Sequence, residues 1–384
     1  MKKYKVAYAT GSRADWGIVK NYLKLLNSDN SIDFSVLVTG SHLENKFGHS
    51  VDIIRQEGFK IDFEAPLGLN DTSECSIIKA VSKALSLFGE FFDKNKYDLL
   101  IILGDRYEMF AVAAAAAMQK IPILHLHGGE VTYGNYDEFI RHSITKMSLY
   151  HFTSTEAYRN RVLRLGESPE RVFNLGALGA QNCTEIEIGK VDESLKNFNP
   201  KKYFVISFHP ETLTDNSPEY QISELLKALK GFENNYDFVF IGTNADTGSD
   251  KIRNAVKDFV SAHKNASYFE NLNVDSYLYL VKNSAALIGN SSSGIIEAPS
   301  LGVYSVNIGD RQKGRERGNS VIDTKCDCND IQNAIKSALE LSLKGTKITN
   351  PYYAENCSQN YYNKTLEILR ENRNTVKYFY DYTI

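Results

Sequence analysis

The chain has few cysteines, no long apolar run and almost no net charge, and each lack removes a class of function. Its five cysteines, Cys75, Cys183, Cys326, Cys328 and Cys357, form no CxxC pair and no zinc spacing, and their odd number argues against a complete disulfide framework. A reducing compartment is expected. No apolar run approaches the roughly eighteen residues that span a bilayer, and the opening MKKYKVAYATGSRADWG holds too few consecutive apolar residues for a secretory core. The expected location is cytoplasmic, without membrane insertion. A net charge of −3 offers no general attraction for nucleic acid or acidic lipid, so an anionic partner has to be small and held by locally placed arginines and helix ends. No cofactor is expected. The first turn, Gly11-Ser12-Arg13, lacks the GxGxxG spacing of a dinucleotide site, and nothing implies NAD, a flavin or a metal.

What is present is an ordinary globular composition, 42% hydrophobic and 24% charged, on a chain of 384 residues, long enough for two cores. Short apolar runs alternate with longer amphipathic ones. Strands are predicted at 5–9, 34–38, 99–103, 121–126, 151–153 and 172–175, then at 203–208, 238–241, 285–288 and 303–307. Helices fall between them, among them 137–148 and 294–301. Such alternation implies parallel sheets covered by helices on both faces. The stretch from Thr184 to Lys202 is polar and irregular, as a linker would be. Residues 1–185 and 200–365 therefore read as two Rossmann-like α/β domains, with 366–384 as a tail or helix packing back on the first. The aromatic-rich end, from Tyr352 and Tyr353 through Tyr361 and Tyr362 to Tyr378, Phe379, Tyr380 and Tyr382, reads as core packing.

Open α/β sheets bind ligands beyond the carboxyl ends of their strands, so the residues that follow each strand are the candidates. After the first come Gly11, Ser12 and Arg13, a tight turn with a guanidinium suited to a phosphate or carboxylate. After the strand at 99–103 come Gly104, Asp105 and Arg106, which taken singly read as a helix-capping aspartate beside a solvated arginine. The densest cluster follows 121–126: His125, His127, Gly128, Gly129 and Glu130, then Asp137, Glu138, Arg141 and His142. In an extended segment His125 and His127 face one side, yet no cysteine or histidine at a familiar spacing completes a zinc set. Acid–base chemistry is the better reading. Asp105, His127, Glu130 and Asp137 fall at one edge of one sheet, where crowded carboxylates push their pKa values apart. His125 by itself reads as a packed core histidine.

In the second half the strand-end clusters are Phe208-His209-Pro210-Glu211 and Gly242-Thr243-Asn244-Ala245-Asp246. The segment GNSSSGIIEAPSLG, Gly289 to Gly302, follows an apolar run and opens into a helix-like pattern. Asn290, Ser291, Ser292, Ser293 and Gly294 would direct backbone N–H groups at an anion there, and Glu297 one turn later could accept from a ribose diol. A plain Ser/Asn-capped helix would look the same. Beyond it, Arg311, Lys313, Arg315 and Arg317 put four cations in seven residues, interleaved with glycine, as in a loop that closes on an anion. The two loops together point to a diphosphate.

The segments GSRADWGIVK, VTGSHLENKFGHS, LGDRYEMFAVA, HLHGGEVTYGNYDEFIRHSITKMSLYHFTSTEAYRNRVLRLGE, FHPETLTDNS, GTNADTGSD, GNSSSGIIEAPSLG and NIGDRQKGRERGNSVID occur in this order. Through them the chain resembles the hydrolysing UDP-N-acetylglucosamine 2-epimerases of bacterial sialic acid biosynthesis over nearly its whole length; only the part beyond about Asp330 is uninformative. The resemblance implies two Rossmann-like domains facing across a cleft, the glycosyltransferase B type, with the nucleotide held mainly by the second. It implies elimination of UDP across C1 and C2 of the sugar to a 2-acetamidoglucal, then hydration with inversion at C2, giving N-acetylmannosamine and UDP. Asp105 and Asp137 would form the acidic pair. Arg13 and His209 would contact the diphosphate or sugar, Ser291 and Ser292 the phosphate oxygens, Glu297 the ribose and Arg311 the nucleotide or diphosphate, with Arg106, Asn290, Ser293 and Gly294 as further substrate- or UDP-binding candidates. The partner is thus a small UDP-sugar, and a homo-oligomer, dimer or tetramer, is the expected assembly.

One departure stands out. Relatives such as the animal bifunctional enzyme and the non-hydrolysing bacterial epimerases carry a catalytic glutamate where this chain has His127. Either His127 takes over acid–base duty, as its near-neutral ordinary pKa permits, or Glu130 replaces the carboxylate; His127 is preferred. Alternatives are the same reaction on a UDP-2,4-diacetamido-2,4,6-trideoxyhexose, a sugar transferase on the same scaffold, and a catalytically silent sensor of nucleotide sugars.

Overall fold

The computed structural model describes residues 3–45, 48–68, 71, 73–133, 135–211, 214–243, 246–371 and 375–381. Asn244, Ala245 and Tyr382 of the sequence reading lie outside the described residues. The chain forms two compact units. The first comprises Met1–Glu130, Asp137–Leu178 and Ala354–Ile384, and the second Val131–Tyr136 and Gly179–Tyr353. These bounds differ from the expected ones. The division falls at Leu178, and the helix Cys357–Arg370 belongs wholly to the first unit, where Tyr22 Oη and Thr365 Oγ1 lie 2.7 Å apart and Tyr362 donates to Asp29 at 2.7 Å.

The first unit is built on seven parallel strands: β1 (Tyr4–Thr10), β2 (Ile32–Thr39), β3 (Ile61–Ala65), β4 (Leu99–Leu103), β5 (Ile123–Leu126), β6 (Tyr150–Thr153) and β7 (Val172–Asn174). Their order is β3-β2-β1-β4-β5-β6-β7. The second unit has six: β8 (Tyr203–Ser207), β9 (Asp237–Ile241), β10 (Ala266–Phe269), β11 (Ala286–Gly289), β12 (Ser305–Ile308) and β13 (Val321–Thr324). They run parallel in the order β10-β9-β8-β11-β12-β13. Each sheet is doubly wound, and strand order reverses once in each, between β1 and β4 and between β8 and β11. The crevice at such a reversal is where open α/β sheets take ligands.

Burial explains the strand chemistry. The β4 sequence LLIIL is buried throughout because helices cover both faces of the sheet, and it packs with Val6, Tyr8, Val36, Leu124 and Phe152. Phe204, Ile206, Phe238, Ile288 and Val306 do the same in the second sheet.

Two expectations need correcting. Thr184 to Lys202 is not a loose linker. It contains 3-10 turns at Ile188–Lys190 and Glu193–Asn197, buries Val191 and Leu195, and is stitched to the helix Val274–Asn283 by Glu187 N–H to Asp275 and Asp192 N–H to Ser276. Its polar composition hides two apolar anchors. The aromatic end is only partly core: Tyr352 and Tyr361 are fully buried, whereas Tyr353, Tyr378, Phe379 and Tyr380 are exposed.

Candidate functional site

In the first unit the loops after β1, β4, β5 and β6 carry the candidate groups. Ser12 caps the helix Arg13–Ser28 by accepting from Asp15 N–H, and Arg13, its first residue, is half-buried. Arg106 is not solvated and Asp105 is not the cap. Arg106 itself occupies the cap position of the helix Tyr107–Met118, is buried, and donates from Nε to Glu108 at 2.6 Å. Glu108 is completely buried, so the pair fixes a charge-neutral floor at the β1/β4 reversal.

Asp105 is paired instead with Arg141. Arg141 lies one turn into the helix Asp137–Met147 with 1% exposure, and its NH1 also donates to the Glu130 carbonyl at 3.0 Å and reaches Glu138 at 3.4 Å. One guanidinium thereby ties together the ends of β4 and β5 and the helix that Asp137 begins. Asp137 itself is half-buried. The crowding of carboxylates expected from the sequence is resolved in this way: a buried cation stands beside Asp105.

His125 is the core histidine expected. It is fully buried, and Nε2 lies 2.7 Å from the Gly104 carbonyl, which can only accept, so Nε2 carries the hydrogen and Nδ1 accepts from Thr145 at 3.1 Å. Burial pushes its pKa down to about 3 and keeps the ring neutral. His127 does not share its face by strand alternation, because it lies past the end of β5 with φ of 62°. Left-handed backbone at a non-glycine costs on the order of 1–3 kcal/mol and needs surrounding structure to hold it. Here His127 N–H donates to Phe152 O at 2.8 Å, and Gly129 follows with φ of 80°, where a Cβ would stand 2.5 Å from Tyr158 O. The turn sets His127 Nδ1 3.3 Å from Glu130 Oε1, the oxygen that also accepts from Ser154 at 2.7 Å.

In the second unit, β11 ends at Gly289, with φ of 141° and no room for a Cβ, which would lie 2.0 Å from Ser207 O. Asn290 is fully buried, and its groups are spent inside the protein. Its N–H donates to Ser207 O, its amide accepts from His209 N–H at 2.7 Å and donates to His209 O at 2.8 Å, and its carbonyl accepts from Arg311 and Gln312. Asn290 therefore builds the loop and joins it to the loop after β8. Ser293 and Gly294 are likewise engaged, Ser293 Oγ accepting from Tyr277 and the Gly294 carbonyl from Ser305. Among the described residues, the N–H groups of Ser291 and Ser292 have no protein acceptor, and both residues are partly exposed.

The helix expected at 294–301 shrinks to Ser293–Ile296 followed by turns, so its dipole adds little. The groups in this loop region able to meet an anion are the loop N–H groups and Arg311, which is buried 3.6 Å from Asp246. Of the four clustered cations, Arg311 and Arg315 are buried, Lys313 pairs with Asp310 and Arg317 with Asp323. Arg315 donates to Val131 O at 3.0 Å. Glu211 ties this loop down by accepting from the N–H groups of Asp310 and Arg311, and burial raises its pKa. Glu297, half-buried, lies against Gly179. A neighbouring pocket of about 660 Å³ is lined by four carboxylates (Glu211, Asp310, Asp323, Asp327) and three cations (Lys313, Arg317, Lys325), a balance that does not favour phosphate.

The family model for UDP-N-acetylglucosamine 2-epimerase matches residues 24–365. The chain belongs to the UDP-N-acetylglucosamine 2-epimerase family. It is 46% identical to the polysialic acid biosynthesis protein P7 of Escherichia coli, covering 98% of this chain and 97% of that protein. It is 38% identical, over 88% of each chain, to the GDP/UDP-N,N'-diacetylbacillosamine 2-epimerase (hydrolyzing) of Campylobacter jejuni. The solved UDP-GlcNAc 2-epimerase of Neisseria meningitidis, bound to UDP-GlcNAc, shares the fold with a TM-score of 0.78 at 20% identity, covering 94% of this chain and all of that one. Two parallel-sheet units of this kind are the glycosyltransferase B type. No helix among the described residues is long and apolar enough to cross a membrane.

The sequence pattern gives Glu108 and Ser154 no place among the candidates, and it places Arg141 in the cluster after 121–126 without a role. Arg141 did carry a signal: an arginine four residues after Asp137 lies on the same helix face.

Proposed function

We propose that this family member is a hydrolysing epimerase that converts UDP-N-acetylglucosamine to N-acetylmannosamine and UDP. The observation that carries the proposal is the gathering of Asp105, His127, Glu130 and Asp137 at the carboxyl end of the first unit's sheet, on a chain 46% identical to a polysialic acid biosynthesis protein. In this reading the N–H groups of Ser291 and Ser292, with Arg311, hold the diphosphate; Glu297 takes the ribose, and Arg13 and His209 contact diphosphate or sugar. The first unit's cluster removes the proton at C2, lets UDP depart, and returns a proton to the opposite face of the glycal as water adds at C1.

The name of the Campylobacter relative favours a second substrate, a UDP-diacetamido-trideoxyhexose, for the same chemistry. Incubation with UDP-N-acetylglucosamine in D2O is expected to release UDP and to give N-acetylmannosamine deuterated at C2. A folded sample that releases no UDP from either sugar nucleotide refutes the reaction. A kcat/KM higher on the diacetamido sugar refutes the substrate.

A further inference from the structure

His127 and Glu130 stand as alternatives for one missing carboxylate, but the geometry joins them. His127 and Glu130 are both more than nine-tenths buried, and Ser154, past the end of β6, is 1% exposed. A carboxylate accepts and does not donate, so the Nδ1 side of the His127 ring, 3.3 Å from Glu130 Oε1, is the side that carries hydrogen. Ser154 Oγ donates to the same oxygen at 2.7 Å and holds it in place. Nε2, at the far end of the ring, is buried and has no partner among the described residues. A buried ring nitrogen left without a partner costs stability unless something else uses it. The left-handed backbone of His127 is a second investment in the same placement.

We infer that His127 and Glu130 act in series, with His127 Nε2 exchanging the proton with the sugar and Glu130 and Ser154 as positioning residues behind it; the inference rests on the reaction proposed above. In the elimination, Nε2 takes the proton from C2, the C2–H electron pair becomes the C1–C2 double bond, and the C1–O bond breaks with its pair leaving on the diphosphate. The imidazolium so formed faces the Glu130 carboxylate, which offsets its charge, and its proton then passes to solvent. A carboxylate behind a histidine base keeps the ring in the correct tautomer, and its neutral amide replacement disrupts that tautomer with the shape intact.

The test uses the full chain with UDP-N-acetylglucosamine. His127→Gln is expected to lower kcat about 10³-fold or more, and Glu130→Gln about 10²- to 10⁴-fold. The double variant should be no slower than His127→Gln alone, because groups in one relay fail as a unit. UDP affinity by calorimetry should stay within about threefold throughout, and Glu130→Asp should recover part of the loss, which a merely structural carboxylate would not produce. In ¹⁵N spectra of the wild-type ring, Nε2 should appear as the unprotonated nitrogen. Wild type that turns over while the two single losses multiply in the double variant, or while either single variant stays within about tenfold, overturns the relay and leaves the function standing. Folded wild type that releases no UDP from either sugar nucleotide overturns the reaction, and the relay with it.

Discussion

Arg141 is the residue whose replacement should reveal how the first unit's cluster is held. Its guanidinium serves three acceptors in three places: Asp105 after β4, the Glu130 carbonyl after β5, and Glu138 on its own helix. Arg141→Met removes the charge and leaves Asp105 without its ion-pair partner. Breaking a fully buried pair costs roughly 3–5 kcal/mol, and because 21% of the Asp105 side chain is exposed the lower half of that range applies. Arg141→Lys keeps the charge but not the fork. It forfeits the bond to Glu130 O, a charged hydrogen bond worth roughly 1.5–3 kcal/mol.

Urea denaturation followed by circular dichroism gives the stability change, and UDP release gives kcat. Misplacing catalytic groups by about 1 Å can cost about 100-fold in rate, so Arg141→Met should lose at least that much and Arg141→Lys somewhat less. A Met variant within about 1 kcal/mol and threefold of wild type in the two assays would show that the clamp holds nothing and that the pairing is incidental.

Two further outcomes follow from other parts of the molecule. Gly289→Ala places a Cβ against Ser207 O, and the loop carrying Ser291 and Ser292 has to shift; UDP affinity should fall at least about tenfold, and unchanged binding in calorimetry would remove that loop from the nucleotide site. Glu167 is buried, which pushes its carboxyl up, but His151, Lys377 and Lys146 around it hold it down to about 2 against an ordinary 4.5. Its contribution, roughly 3 kcal/mol at most, is present above pH 4.5 and is lost as pH falls toward 2, so Glu167→Gln should flatten the acid limb of stability measured by urea titration between pH 5 and 3. Equal acid slopes in the two proteins would contradict this. Lys377, lowered to about 8 by burial, gives a slope of the same sign in a higher window: burial penalises its charged form below pH 8, and that penalty is relieved as pH rises from 8 toward 10.5.

How far the sequence could be read depended on where each element lies. The expected strand at 99–103 coincides with β4, because a central strand buried on both faces is an unbroken apolar run. The strands that went unnoticed, β3, β10 and β13, are all sheet edges, half exposed and broken by Asp62, Glu64, Ser267 and Asp323, so their pattern merges with that of loops. The site divides in the same way. That polar clusters follow β1, β4, β5, β8, β11 and β12 is a local fact, and the parallel topology brings them to one edge of each sheet. Which atoms remain available there is not local.

Asn290 and Ser291 are adjacent, small and polar, and spacing cannot separate them. Asn290 meets His209 across 81 residues and is consumed by structure, while the Ser291 and Ser292 N–H groups are left over. His125 and His127 differ in the same respect. One spends both ring nitrogens on Gly104 and Thr145; the other keeps Nε2. A polar residue at a strand end is thus a candidate by sequence, and it becomes a ligand contact only by the hydrogen-bonding capacity that the fold leaves unused. By that criterion the cradle narrows from five residues to Ser291 and Ser292, and the paired histidines to His127.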